Sequence, residues 1–432
     1  MHRLRTLIRS MLVVIALGMV ASAMAQQSTV RMWTFLNPTG TAPREVALRQ
    51  IIDDFEAANP DIRVQVEPQV WDRMTPQFLA AHGAGNAPDI IWAITDLLGT
   101  AISAGALEDL NDMFAADWPS ERRDAIDDAY WRRCQVDGNQ YCIFTSRNYI
   151  GLMYRADVFA EAGVEPSEIQ TWDDLLAVAE RLTERDGAGN VTRWGLGQQF
   201  STTQSDPQLM VPYMLERQGD IFDEDGSARF ATEAGVEALT FQVAMVTDHD
   251  VTPRAAVNWS AEDLYEQFVA GRLAMINAAS VRVSTIQEQL GRDNVDFMLW
   301  PSAEAGSHAP GVSLGWAVGI WSGSQQKDAA SRFLDYMTGP QADALWVEVG
   351  GQIPMRSTTI DDLTAFFEQS HNRFLATTAT GFGSFAYLTP IEFDIGGWRQ
   401  DLNQAAQDVI VGGLSPQQAL EQAEQRFNQR NR

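Results

Sequence analysis

Thirteen tryptophans, against eight tyrosines, are the side chains in this sequence most suited to a chemical task. Trp33, Trp71, Trp92, Trp259, Trp316 and Trp398 stand at strand ends or in loops rather than within helical stripes. A sugar ring has an apolar C–H face and a hydroxyl-rich edge, so its site needs flat aromatic platforms with polar groups in the ring plane. Asn37, Asp96, Asn148 and Asn277 lie among these tryptophans and suit that edge. Core packing is the competing use for any single tryptophan. Arg147 and Arg356 offer a local positive site, which keeps phosphate esters open as ligands.

Catalytic signatures are missing. There is no GxSxG elbow, Walker loop, HExxH pair, or GxGxxG after a strand. Five histidines are scattered without ligand spacing, so no metal or other cofactor is expected. Asp223-Glu224-Asp225-Gly226 resembles a calcium loop but lacks its later bidentate Glu, and it reads as a hairpin turn. Two carboxylates could act together as in a glycosidase, yet no pair stands out.

Cys134 and Cys142 flank Gln135 to Gln140, which contains the turn-forming Asp137-Gly138. Two short strands joined there would bring the sulfurs within bridging distance, so a disulfide is expected. An oxidising address is written at the N-terminus. Arg3, Arg5 and Arg9 precede the apolar run Met11 to Val20, and Ala23-Met24-Ala25 forms a cleavage site before Gln26. That run falls short of the ~20 residues needed to span a bilayer. Residues 1–25 are therefore expected to be a signal peptide on an exported chain.

The elements that must position these residues alternate between strand and helix. Val30 to Phe35 reads as a strand, Arg44 to Ala58 as a helix stopped by Asn59-Pro60, and Ile62 to Val66 as a half-buried strand. Pro88 to Trp92 follows as a buried strand. Farther along, Gly151 to Tyr154 and Gly315 to Trp321 read as strands. Thr171 to Asp174 and Ser415 to Gln418 read as helix starts. This βαβ order predicts an α/β fold with a mostly parallel sheet. A length of 432 residues allows two or three domains, and 57 acidic against 31 basic side chains, a charge of −26, argues against nucleic acid as a partner.

Several segments, in order, resemble the bacterial extracellular solute-binding proteins of the carbohydrate-uptake type. Phe55 to Val64 resembles the opening "helix, NP, strand"; Gly85-Asn86-Ala87-Pro88-Asp89-Ile90-Ile91 resembles G-x-x-P-D-I/V; Gly105 to Leu110 resembles G-x-L-x-D-L. Asp137-Gly138 through Asp157, Phe268 to Met275, Gly351 to Arg356 and Gly412 to Leu420 continue the pattern. The resemblance implies a periplasmic-binding-protein-like fold of two α/β lobes, with the ligand cleft between them. The N-terminal lobe would comprise 26–145 plus 318–352, and the C-terminal lobe 146–317 plus 353–432. The chain would cross near 145–150, 314–322 and 352–357. It also implies a periplasmic monomer that passes a sugar, oligosaccharide or polyol to the permease of an ABC importer. Among site residues it points to Asn37, Asp96 and Trp398; the family's acidic ligand falls on Asn148. One stacking Trp falls near Ser280, leaving Trp259 as its substitute.

Overall fold

The computed structural model describes residues 27–71, 73–94, 98–202, 209–390 and 395–431. The expected signal segment 1–25 and Asp96 lie outside them.

The first half of the fold is built on β1 (Ser28–Thr34), β2 (Ile62–Pro68) and β3 (Ile90–Ile94). β1 pairs in parallel with both others, as the βαβ order requires. The helix Pro43–Ala58 connects β1 to β2 and buries Ala47, Leu48, Ile51, Ile52 and Phe55, the stripe expected from their spacing. The hairpin of β4 (Gln135–Val136) and β5 (Asn139–Gln140) turns through Asp137 and Gly138, both at positive φ (52° and 85°). Such a two-residue turn matches the strand twist and brings the flanking residues together. Cys134 and Cys142 are disulfide-bonded with their Cα atoms 5.1 Å apart, as expected.

β6 (Ile143–Arg155) is far longer than the four-residue strand read from the sequence, and every residue but the last is buried. The polar run Thr145-Ser146-Arg147-Asn148 hides its first half from a hydrophobicity pattern. Beyond it come β7 (Glu184–Arg185), β8 (Val191–Gly197), β9 (Leu273–Ala279), β10 (Val295–Met298), β11 (Gly311–Ile320) and β12 (Ala386–Leu388). The sheet runs β2-β1-β3-β11-β6-β9-β8-β7, with β10 also on β6 and β12 also on β11. It is mixed rather than mostly parallel, because β11 runs antiparallel to β3 and β6, and β6 runs antiparallel to β9.

Two strands bind the two lobes together. Residues 143–149 of β6 pair with β11, while 150–154 pair with β9. Likewise 316–320 of β11 pair with β3, while 311–313 pair with β12. The capping boxes form as expected: Thr171 Oγ1 accepts from Asp174 N–H (3.2 Å), and Ser415 Oγ accepts from Gln418 N–H (3.3 Å). Asp223 to Gly226 is a turn, closed by Gly226 N–H to Asp223 C=O (2.9 Å) and Asp223 N–H to Ser227 C=O (2.8 Å).

Candidate functional site

A cleft of about 380 Å³ opens where the two halves meet. Its floor is the pair of shared strands, through Asn148 of β6 and Leu314, Gly315 and Trp316 of β11. One wall comes from the first half. Phe35 and Leu36 follow β1, Gln69 to Trp71 follow β2, and Arg44 and Glu45 open the helix Pro43–Ala58. The other wall comes from the second half: Ala261 and Glu262 open the helix Ala261–Val269, Ala279 ends β9, and Val281, Arg282 and Thr285 follow it. The carboxyl ends of the parallel strands β1 and β2 thus face the cleft, where open α/β sheets place their ligands.

A register shift aims Trp316. It pairs with Ser146, but the next residue, Ala317, pairs with Phe144. Thr145 is the extra residue of a β-bulge, and its Oγ1 donates to the Trp316 carbonyl (3.3 Å). Bulges bend a strand and redirect a side chain, here where the strands pass between lobes. Gly315 keeps the floor low, since a Cβ there would lie 2.6 Å from the Ser146 carbonyl oxygen. The Trp316 ring meets Phe35 with centroids 4.6 Å apart, and Phe35 in turn meets Trp92 edge-on at 5.9 Å. These contacts run from the cleft into the core and hold the Trp316 ring in place.

Charged groups stand at the rim. The Glu45 carboxylate accepts the backbone N–H groups of Asn37 (3.2 Å) and Ala42 (3.1 Å), which orders the turn before the helix. Glu262 is ion-paired with Arg282, whose guanidinium lies 4.9 Å from the centre of the Tyr265 ring. The Arg44 guanidinium lies 5.2 Å from the Phe35 ring centre. Burial, with Arg282 nearby, pushes the Arg44 pKa down to about 10.

Of the residues selected from sequence, Trp71, Asn148 and Trp316 line this cleft. Asp96 lies outside the described residues, two positions past β3, whose last residue Ile94 pairs with Trp316. The others have different surroundings. Trp33 is beside Glu67 in the β1–β2 register and donates its indole N–H to that carboxylate (2.8 Å). Asn37 is exposed, and its Oδ1 accepts the Thr39 N–H (3.1 Å) in a local turn. Trp259 is half-buried after the short helix Arg254–Asn258, where its carbonyl accepts the Ser201 N–H (3.1 Å). Asn277 is buried within β9 opposite Leu152. Trp398 is 1% exposed, at the first position of the helix Trp398–Ile410 and edge-on to Phe222 at 6.1 Å. Arg356 is also 1% exposed. It donates to the carbonyls of Arg122 (2.7 Å) and Thr338 (2.6 Å), a tie within the first half rather than a ligand contact. Arg147 faces Asp127 at 3.6 Å, so neither arginine flagged from sequence reaches the cleft.

Sequence reasoning passed over Phe35, Arg44, Glu45, Gln69, Glu262 and Arg282. Their common signal is position: each follows a strand's carboxyl end or opens a helix. Among the described residues, no three His, Cys, Asp or Glu side chains gather to hold a metal ion. No described helix is long and apolar enough to cross a membrane.

Two α/β lobes joined by shared strands, with an aromatic-floored cleft between them, define a two-lobed periplasmic-binding-protein-like fold. The model of the bacterial extracellular solute-binding proteins matches residues 41–344, and the chain belongs to that family. It is 24% identical to the sn-glycerol-3-phosphate-binding periplasmic protein UgpB of Escherichia coli over 441 aligned positions, covering 96% of this chain and 95% of the relative. Among solved structures, an ABC transporter solute-binding protein from Thermotoga lettingae, bound with α-D-tagatose, superposes with a TM-score of 0.80. It is 22% identical, with 93% of this chain and 99% of that one covered. The maltose/maltodextrin-binding domain MalE from Bdellovibrio bacteriovorus, bound to maltotriose, gives 0.78 at 18% identity, with the same coverage.

Proposed function

We propose that this chain is an exported solute-binding protein that closes its lobes on a sugar or sugar-like ligand and delivers it to an ABC importer. One observation carries the reading: the Trp316 platform, buttressed by Phe35, faces a cleft whose walls come from both lobes. Stacking on Trp316 and Trp71, with hydrogen bonds from Asn148 and Gln69, is the pattern a sugar face and edge require. Family membership supports binding rather than catalysis. Asp96, two positions past β3 in the sequence, is kept as a ligand residue on the strength of the family resemblance alone.

Export with cleavage between Ala25 and Gln26 follows from the leader-like sequence, and the family supports a periplasmic or extracellular address. The chain acts as a monomer, and its charge of −26 disfavours nucleic acid. The strand pairings support crossings near 145–150 and 314–322. We place the third beyond Thr359, because Ser357 N–H still donates to the Ala125 carbonyl (2.9 Å) and Thr359 Oγ1 to Asp343 (2.6 Å).

A thermal-shift screen over sugars, polyols and phosphate esters identifies the ligand, and small-angle scattering then tests closure. A ligand at 100 times its dissociation constant should add about 2.7 kcal/mol of stability. The radius of gyration should fall at saturation, because a ligand touching both walls favours the closed state. An unchanged radius, or conversion of the ligand to products, would refute the reading.

A further inference from the structure

Arg44 and Arg282 enter the cleft from opposite lobes, one from the first turn of the helix Pro43–Ala58 and the other from the turn after β9. Resting on the reading of this cleft as the ligand site, we propose that the two arginines hold an acidic group of the ligand, a carboxylate or phosphate on a small polyhydroxy compound.

The charged groups around the cleft are unequally matched. Arg282 already has an ion-pair partner in Glu262. The Glu45 carboxylate, next in sequence to Arg44, is occupied by two backbone N–H groups. The Arg44 guanidinium forms no hydrogen bond or ion pair with any described residue, and it lies 5.2 Å from the Phe35 ring centre. A guanidinium carries five N–H donors in a planar fork, and leaving them unmade in a partly dehydrated cleft is costly. The Arg44 pKa is lowered first by desolvation and then by Arg282, against the weaker opposing pull of Glu45, Tyr265 and Glu262. A ligand hydroxyl would satisfy the donors but leave the charge uncompensated. An anionic oxygen pair does both, and the fork geometry fits carboxylate and phosphate alike. Trp71 and Trp316 line the same space, so the remainder of the ligand has aromatic faces available. The acidic group also explains why two cations face each other here, since an anion between them removes their repulsion when the lobes approach.

Matched neutral and acidic probes test this: D-glucose with D-glucuronate, D-galactose with D-galacturonate, and glycerol with glycerol 3-phosphate. Melting temperature and calorimetric affinity are measured at constant ionic strength on the wild-type protein, Arg44→Met and Arg44→Lys. In at least one pair the acid should bind about tenfold or more tightly than its neutral partner, and Arg44→Met should abolish that preference. Arg44→Lys, a charge without the fork, should recover part of it for phosphate and less for carboxylate. The responding pair identifies the source of the acidic group. Equal binding of neutral and acidic members, or an acid preference that survives Arg44→Met, overturns the inference. A neutral sugar that binds while no acidic probe binds more tightly than its neutral partner overturns it and leaves sugar capture standing. If neither these probes nor maltotriose raises the melting temperature, sugar capture itself fails, and this inference with it.

Discussion

Trp398 separates a ligand platform from a core residue by measurement. Its side chain is 1% exposed and packs edge-on against Phe222, which also touches Phe230 (6.2 Å) and Phe427 (5.4 Å). Truncating so buried an indole removes its transfer energy and leaves a cavity, so Trp398→Ala should cost about 3–5 kcal/mol. Trp398→Phe should cost far less. It keeps most of the contact with Phe222 and removes a buried indole N–H that has no hydrogen-bond partner. Relief of that donor, about 1–3 kcal/mol, offsets much of the lost ring area. Denaturant unfolding of both variants without ligand gives the two costs, and calorimetry with the ligand found in the screen gives their affinities. The expected result is a large drop in midpoint for Trp398→Ala, a small one for Trp398→Phe, and unchanged affinity for Trp398→Phe. If Trp398→Ala keeps its midpoint but loses affinity, the buried placement is wrong and the indole is a platform after all.

Glu67 gives a pH test. The Arg31 guanidinium, bonded to both carboxylate oxygens (2.8 and 3.0 Å), and secondarily the Trp33 indole hold its pKa below the usual range, while burial opposes them. That stabilisation is present above the unfolded value of roughly 4.3 and is lost as pH falls through the lower folded value. The stability gap between wild type and Glu67→Gln should therefore be constant near neutrality, under about 1 kcal/mol for this partly exposed pair, and should vanish in acid; a gap that grows below pH ~4 would contradict this. Replacing both Cys134 and Cys142 by Ser should lower stability by roughly 2–3 kcal/mol, because the bridge closes a loop of about nine residues. Ligand affinity should be unaffected, and titration of two free thiols in the unreduced, unfolded protein would count against the bridge.

The fold was legible wherever local pattern and tertiary use agree. The helix Pro43–Ala58 carries its apolar stripe on the face it buries, and Thr171 and Ser415 cap helices where their boxes indicate. β6 was read as a fragment because Thr145 to Asn148 are polar yet buried, a combination that suits a strand passing beneath a binding cleft. The site was legible in part for a related reason. Trp316 and Trp71, which line the cleft, were selected by residue type, but the same criterion selected Trp398, which lies in the core. Arg44 and Arg282 were missed because a lone arginine opening a helix or following a strand looks like solvated surface until the opposite lobe is brought against it. Arg356 shows the converse. Its positive charge suggested a site for phosphate esters, yet its guanidinium is spent on the carbonyls of Arg122 and Thr338.

The position of β11 in the sheet has a consequence for how the chain can be made. It lies between β3 and β6, which are complete by residue 155, whereas β11 begins at Gly311. A nascent chain therefore carries two hydrogen-bonding edges, with the centre of its sheet empty, for more than 150 residues of synthesis. Unpaired edges of this kind recruit strands from other chains. No C-terminal truncation ending before Gly311 can close the sheet, and neither lobe corresponds to a continuous piece of sequence that could be produced alone. The same gap keeps an incomplete chain from reaching its compact state, which suits the export proposed above.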